Sequence, residues 1–562
     1  MKLSRRKFLT SAGLTVGAAV TFFDAVLKSW IMKAHAQEVS GEPVTNYVHL
    51  TFSGAPPRWL FDMPLTPNGN SDLFTPNDML CTKFTNTSAG SIQVAHETTQ
   101  VGDFHLPSLW ASDVPGINDT WRPMSDLAQN MFMIRGVNML VDGHEQNRLK
   151  QNAPVPGGYS LTGLLADIAN TPLPAVYYGA PIGYKSKTGV GIVRTPGGDS
   201  LKGLMRGFEL SSPVSFGNQD IIETLANRTL NSLREYGRAT RNRKIAAMFR
   251  DASNAKSVIL RDFGDLVAEF NGLRDKYENL IQRAYTHHNT DDVDNVELIT
   301  TNDVEFRVQS NAVYNFNPGF DMRDTIQMNE MSQGPLNASI PGARDTSISN
   351  LSASMAVTEF LLVNELSNSL TLNTQSMTSF YLPANIDPNP TTNRGMAHDA
   401  HSTGAYSTLF FFSKFYKGFS ACMLELVDQL KNNNQSGGGA LFDNTLIHIT
   451  SEFGRNSRNN NSGSDHAWHG SNITLLSGMI EGPQVVGNIY HNHVDDGHDG
   501  TWGAAAPVPE LANREMVLGN VASSIANILK VETPTPNDPA ILDRSSDGKI
   551  VSYLGNPEND EI

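Results

Sequence analysis

The segment from Thr445 to Gly470 constrains this chain most. Thr445 to Thr450 (Thr-Leu-Ile-His-Ile-Thr) is a short β-branched and apolar run, the signature of a buried strand. It stops at Ser451-Glu452-Phe453-Gly454-Arg455, and an Asn/Ser/Gly-rich loop then delivers Asp465, His466 and His469. Carboxylates, imidazoles and an arginine at the carboxyl end of a buried strand are what an open α/β sheet offers to a ligand. Glu452, Asp465 and His466 are oxygen and nitrogen donors suited to a metal, and Arg455 is a planar fork suited to an oxyanion.

The rest of the chain supplies a sheet for that strand. Val44 to Phe52 alternates as a first strand and runs into the turn Ser53-Gly54-Ala55-Pro56-Pro57. Met131 to Ile134 is a second, followed by the polar Asp142-Gly143-His144-Glu145, and Thr378 to Leu382 and Ile473 to Leu476 are two more. Residues 64–125, rich in Pro, Asn, Thr and Asp, read as long surface loops with room for a small sheet. Residues 221–286 carry a helical stripe through Phe263, Leu266, Phe270, Leu273, Tyr277 and Leu280, which is core packing. Irregular structure is expected over 287–345, where Asp291, Asp292, Asp294 and Glu297 lack the glycine and spacing of a calcium loop. Helices are expected at Ile348 to Leu372, at Leu409 to Leu430 and at Ala512 to Lys530. Strands alternating with helices imply an α/β fold, its mainly parallel sheet covered on both faces.

Histidine placement sharpens the site. Of 15 histidines, eight (His398, His401, His448, His466, His469, His491, His493 and His498) fall in the last third of the chain. Asp399-Ala400-His401 follows one expected strand as Glu452, Asp465 and His466 follow another, and parallel strands bring such ends to one edge. Oxygen and imidazole donors without thiolate suit a divalent metal: zinc, manganese, magnesium or calcium. His491 to Asp499 is a dense histidine/aspartate loop, readable as a metal site or as a solvated connection. Ser160 precedes Leu161, Leu164 and Leu165 as an N-cap, and a hydroxyl there is also a candidate nucleophile.

Compartment and partners follow from the ends and the charge. Ser4-Arg5-Arg6-Lys7-Phe8-Leu9, an apolar run from Ala12 to Val26 and Ala34-His35-Ala36 form a twin-arginine leader, cleaved after Ala36. The export machinery is thus a partner, and the product is expected to be periplasmic or secreted. Asp24 and Lys28 interrupt the run, so no stable membrane span is expected. The net charge is -15, and the leader removes six basic side chains and one acid, leaving the mature chain near -20. That acidity argues against nucleic-acid binding. Cys81 and Cys422 could pair in an oxidising compartment or remain buried thiols.

The order of leader, first strand with glycine turn, Asp399-Ala400-His401, Glu452-Phe453-Gly454-Arg455, Asp465-His466 and final helix resembles the domain-of-unknown-function 1501 family. Its exported members look like distant relatives of the alkaline phosphatase and sulfatase superfamily. His144-Glu145-Gln146 is similar to a further motif of that family. The resemblance covers most of residues 37–562, with about 200–345 as an insertion. It implies a three-layer α/β/α sandwich, with Asp399, His401, Glu452 and His466 holding metal. The first turn departs from the pattern, with no carboxylate before Asp62. Two readings follow. One is a metal-dependent hydrolase of phosphate or sulfate esters, with Arg455 holding anionic oxygens and Ser160 or a metal-activated water attacking. The other is a non-catalytic protein on a degenerate scaffold, with another exported protein as partner.

Overall fold

The computed structural model describes residues 44–68, 80–86, 92–195 except 170, 172 and 180–182, 231, 234–235, 263–286 and 343–381 except 375. It further describes 393–457 except 402–404 and 436–437, then 463–490, 493–495, 498–501 and 503–560. The expected leader, most of the expected insertion, the 287–342 stretch with its four acids and the side chains of His491 to Asp499 lie outside the described residues.

Ten strands form the central sheet. In chain order they are β1 (Asn46–Phe52), β2 (Met131–Asn138), β3 (Val176–Tyr178), β4 (Val193–Thr195), β5 (Ser369–Asn373), β6 (Thr445–Ser451), β7 (Ser471–Leu476), β8 (Gln484–Val486), β9 (Pro507–Val508) and β10 (Arg514–Val517). The lateral order is β4-β3-β5-β1-β6-β7-β2-β10-β9, with β8 also against β2. From β4 to β6 every pairing is parallel. Strand β7 then enters antiparallel between β6 and β2, so the sheet is mixed, though mostly parallel. β1 and β6 run side by side from Asn46↔Thr445 to Phe52↔Ser451, and both finish at the same edge.

Alternation along the strands sorts side chains onto two cores. Val48, Leu50, Phe52, Ile447, Ile449, Leu370 and Leu372 face one, and Tyr47, Leu446, Ile473, Leu475, Phe132 and Ile134 face the other. The first is covered by α3 (Phe263–Thr286), α4 (Ala343–Val363) and α5 (Ala405–Asn432), and the second by α2 (Leu161–Ile168) and α6 (Leu518–Leu529). A shorter helix, α1 (His144–Asn152), lies at the strand ends. On α5, Phe419 sits edge-on to Phe52 at 4.8 Å and Tyr416 stacks on Phe61 at 4.6 Å. Each such pair adds about 0.5–1.5 kcal/mol beyond its buried area. Lys276 of α3 bridges Glu359 of α4 and Glu425 of α5, tying the described part of the expected insertion into the main core. No described helix is long and apolar enough to cross a membrane.

Three expectations need correction. The helix expected to reach Leu372 ends at Val363, because Glu365 turns into the left-handed region (φ 50) and Leu366 bonds back to Leu361. Ser369–Asn373 is instead a central strand paired with β1. Residues 64–125 are not simply surface: Leu65, Phe84, Leu106, Trp110 and Met124 are buried in the larger core. The strand at 378–382 belongs to an antiparallel hairpin, Met377–Tyr381 with Asn393–Ala397, outside the central sheet. Of the two alternatives left open for the cysteines, the structure has the separate buried thiols, Cys81 directed at the Ala405 carbonyl and Cys422 at that of Tyr277.

Candidate metal centre

Four chain segments meet at the edge where β1 and β6 end. The first is the turn after β1. Gly54 (φ 82) and Ala55 (φ 52) both adopt left-handed backbone, and a Cβ on Gly54 would lie 2.8 Å from the His398 Cβ. Glycine is required there by conformation and by contact. The turn contributes backbone only: Gly54 N–H donates to Glu452 Oε2 (3.0 Å), and the Gly54 and Ala55 carbonyls accept from Arg455 (2.8 Å each). Asp62 is not a donor to the site. It is fully buried in a two-pronged ion pair with Arg58 and accepts from Thr474 Oγ1.

The second segment follows β2, where Asp142 and Gly143 lead into α1 with His144 as its first residue. Gln151, seven residues on and so on the same helical face, hydrogen-bonds Thr450 Oγ1 and the Ser451 carbonyl, which pins α1 to the end of β6. The third follows the 377–397 hairpin. His398 is buried and bonded to Thr378 Oγ1 (2.8 Å) and the Ser53 carbonyl (3.1 Å), fixing the backbone that presents Asp399 and His401. Burial lowers the His398 imidazole to about 3, against the pull of the Ser53 bond. The fourth is the hairpin Gly454–Ser457 with Ser464–Ala467, which places Arg455 opposite His466 and is tied to the Ala400 carbonyl through Ser464.

Donor atoms of His144, Asp399, His401 and His466 converge within 4.8 Å of one another. His401 Nε2 lies 2.9 Å from His466 Nε2 and 3.3 Å from Asp399 Oδ1, and His144 Nε2 lies 3.4 Å from Asp399 Oδ2. Each outer nitrogen has its own carboxylate: His144 Nδ1 with Glu452 (2.5 Å), His401 Nδ1 with Asp465 (3.4 Å), His466 Nδ1 with Asp142 (2.6 Å). A carboxylate on Nδ1 fixes the tautomer that leaves Nε2 with a free lone pair, the usual support of a metal-ligating histidine. Phe453 packs against both His466 (ring centroids 4.1 Å) and His144 (4.6 Å), which restricts ring rotation.

These residues fit a metal ion. Tetrahedral ligands at about 2.0–2.1 Å from zinc stand about 3.3 Å apart, close to the separations seen. The buried His144 Nε2 has no hydrogen-bond partner, an unmet donor or acceptor directed at Asp399. Two imidazole nitrogens at 2.9 Å either share a proton or face a common cation. Electrostatics agree. Burial alone would lower the His144 imidazole, but Asp399 and Glu452 outweigh it and hold it at about 9. Asp399 is drawn well below the usual carboxylate range: burial acts against this, and His144 and Arg455 overcome it. Burial lowers His466, with Arg455 and His144 adding to it and Asp142 opposing.

Of the residues expected from sequence, Asp399, His401 and His466 are in the converging group. Glu452 stands one hydrogen bond behind it on His144 Nδ1, and Asp465 lies 3.4 Å from His401 Nδ1 as an ion-pair contact. Arg455 is wholly buried and bonds Asp399 as well as the two turn carbonyls, so its contacts orient a carboxylate and hold the turn. Ser160 is elsewhere. Its buried hydroxyl caps α2 by accepting from Gly163 N–H (3.0 Å) and also from Lys185 N–H (3.1 Å). Sequence reasoning from strand ends missed two members, His144 and Asp142, although the polar run after β2 contains both.

No protein-family profile matches the chain, and no curated protein or solved structure matches it.

Proposed function

We propose that this chain is an exported metal-dependent hydrolase on an alkaline phosphatase-like scaffold, with one metal held by His144, Asp399, His401 and His466. The observation that carries the reading is the convergence of three carboxylate-backed imidazoles and one carboxylate at a half-exposed sheet edge. Three nitrogens to one oxygen suit zinc or manganese better than calcium, which takes oxygen ligands. A metal of this kind supplies Lewis acidity and lowers the pKa of a bound water toward neutrality. The chain's own residues do the rest. Glu452, Asp465 and Asp142 keep the imidazoles oriented, Arg455 keeps Asp399 ionised and in place, and the half-exposed histidines leave one side of the centre open to solvent.

The test is hydrolysis of p-nitrophenyl acetate, phosphate and sulfate by the mature protein, before and after metal removal. The reading predicts release of nitrophenol from at least one ester that stops on chelation, returns with zinc or manganese, and is absent in His401→Ala. Stoichiometric metal without hydrolysis would favour a metal-stabilised binding protein on the same scaffold. That second reading draws on one observation: the cap position of Ser160 and the backbone-only first turn leave the described site without a side-chain nucleophile.

A further inference from the structure

We infer that helix α1 is a strap closed by metal binding: coordination by His144 and docking of α1 onto the sheet edge are one coupled event, with Gln151 anchoring the strap. The inference rests on the four-ligand centre proposed above and not on hydrolysis. Its first support is what α1 buries. Asn147, Gln151 and Asn152 are its buried residues, and all are polar. Leu149, its one apolar residue, is half-buried and belongs to none of the apolar clusters of the core. By contrast, α2 and α6 bury leucine, isoleucine and valine side chains. A helix with so little apolar burial sits at the low end of local stability.

Hydrogen bonds hold α1 instead. Gln151 bonds the Thr450 hydroxyl and the Ser451 carbonyl at the end of β6. Asn152 donates to the Gly183 carbonyl (2.5 Å) and accepts from Thr162 Oγ1 (2.9 Å), and Lys150 donates to the Met139 carbonyl (3.2 Å). The Thr450 hydroxyl also lies 3.1 Å from Nε2 of His49, buried in β1, so the Gln151 anchor is continuous with the sheet interior.

The second support is what α1 leaves unsatisfied. Its buried atoms His144 Nε2, Asn147 Oδ1 and Arg148 Nε have no hydrogen-bond partner. Each carries a desolvation cost that undocking relieves by admitting water. A metal on His144 Nε2 removes one of these costs and adds a bond that undocking must break. Positive φ at Leu140 (61) and Gly143 (125) before the helix, and at Gly157 (71) after it, supplies backbone positions for a hinge. Asp399, His401 and His466 come from segments outside α1, so lifting the helix leaves a three-ligand centre.

The experiment is hydrogen–deuterium exchange over residues 143–153, without zinc and at saturating zinc, in the wild type, His144→Ala, His401→Ala and Gln151→Leu. In the wild type, zinc is expected to slow exchange of α1 by about tenfold or more, since opening then breaks the His144 bond. By reciprocity that factor should match the loss of zinc affinity in His144→Ala, measured by chelator competition. In His401→Ala, zinc should still slow α1 through His144. In His144→Ala, loaded through Asp399, His401 and His466, it should not. Gln151→Leu should speed exchange of α1 by roughly tenfold without metal, and zinc should still slow it. Exchange of wild-type α1 that zinc changes by less than about twofold overturns the inference and leaves the metal centre standing, as does equal slowing in His144→Ala. Exchange in Gln151→Leu matching the wild type overturns the anchoring role of Gln151. No zinc uptake by the wild type, or uptake that neither histidine variant weakens, overturns the metal centre and the strap with it.

Discussion

Glu452→Gln separates a metal ligand from a residue that orients one. In the structure the Glu452 carboxylate is buried, 2.5 Å from His144 Nδ1, and also accepts from Gly54 N–H. Glutamine keeps the size and one acceptor but loses the charge that holds the imidazole. Loss of such an outer carboxylate weakens metal binding by roughly 10–100-fold, about 1.4–2.7 kcal/mol. The loss should depend on pH. His144 without metal is held at about 9 by Asp399 and Glu452 against burial. At pH 7 the proton on it therefore lowers the apparent affinity of the wild type about a hundredfold. The variant binds that proton less tightly, so its deficit is largest near pH 9 and shrinks toward pH 7. The assay is competition against a chromophoric chelator at several pH values, with a thermal melt to show that both proteins fold. A loss above a thousandfold at every pH would make Glu452 a direct ligand. Equal affinity within twofold at pH 9 would remove it from the site.

Metal uptake by the wild type at pH 7–8 should release about one proton per ion, measured in weak buffer, because an imidazole with a pKa of about 9 must become neutral to bind. Apparent affinity should accordingly fall about tenfold per unit as pH drops below 9. Acid should destabilise the fold through buried histidines. Burial holds His398 at about 3, His49 at about 4 and His448 well below its ordinary value. All three are neutral when folded and gain protons on unfolding below about 6.5, so stability present above that pH is lost as pH falls toward 4. The slope should approach 1.4 kcal/mol per unit for each histidine, and urea melts at pH 7, 6 and 5 measure it. Gly54→Ala should destabilise the protein by about 1–3 kcal/mol, since alanine would adopt a φ of 82 and press on the His398 Cβ. An unchanged melting temperature would refute the need for glycine there.

Strands and site were legible in the sequence to different depths for physical reasons. Thr445–Ser451 is buried on both faces, so its apolar run announces it, and Glu452 and Arg455 mark its end. Ser369–Asn373 was hidden because Leu362, Leu366 and Leu370 continue the four-residue helical spacing of α4; the turn at Glu365 depends on backbone conformation that composition does not display. Asp399, His401 and His466 stood out as histidines and acids beside ordered elements. His144 did not, because it opens a helix instead of ending a strand. The division between ligands and their supports was out of reach. Which of Glu452, Asp465 and Asp399 faces the centre is set by how the two hairpins fold over the edge, as in the pairing of Arg455 with His466.

X-ray absorption on the zinc-loaded protein tests the metal centre most directly. The structure predicts one zinc per chain with three imidazole nitrogens and one carboxylate oxygen at about 2.0–2.1 Å, and one imidazole fewer in His144→Ala. A spectrum without imidazole scattering, or one that His144→Ala leaves unchanged, would contradict the assignment of His144, Asp399, His401 and His466 as the ligands.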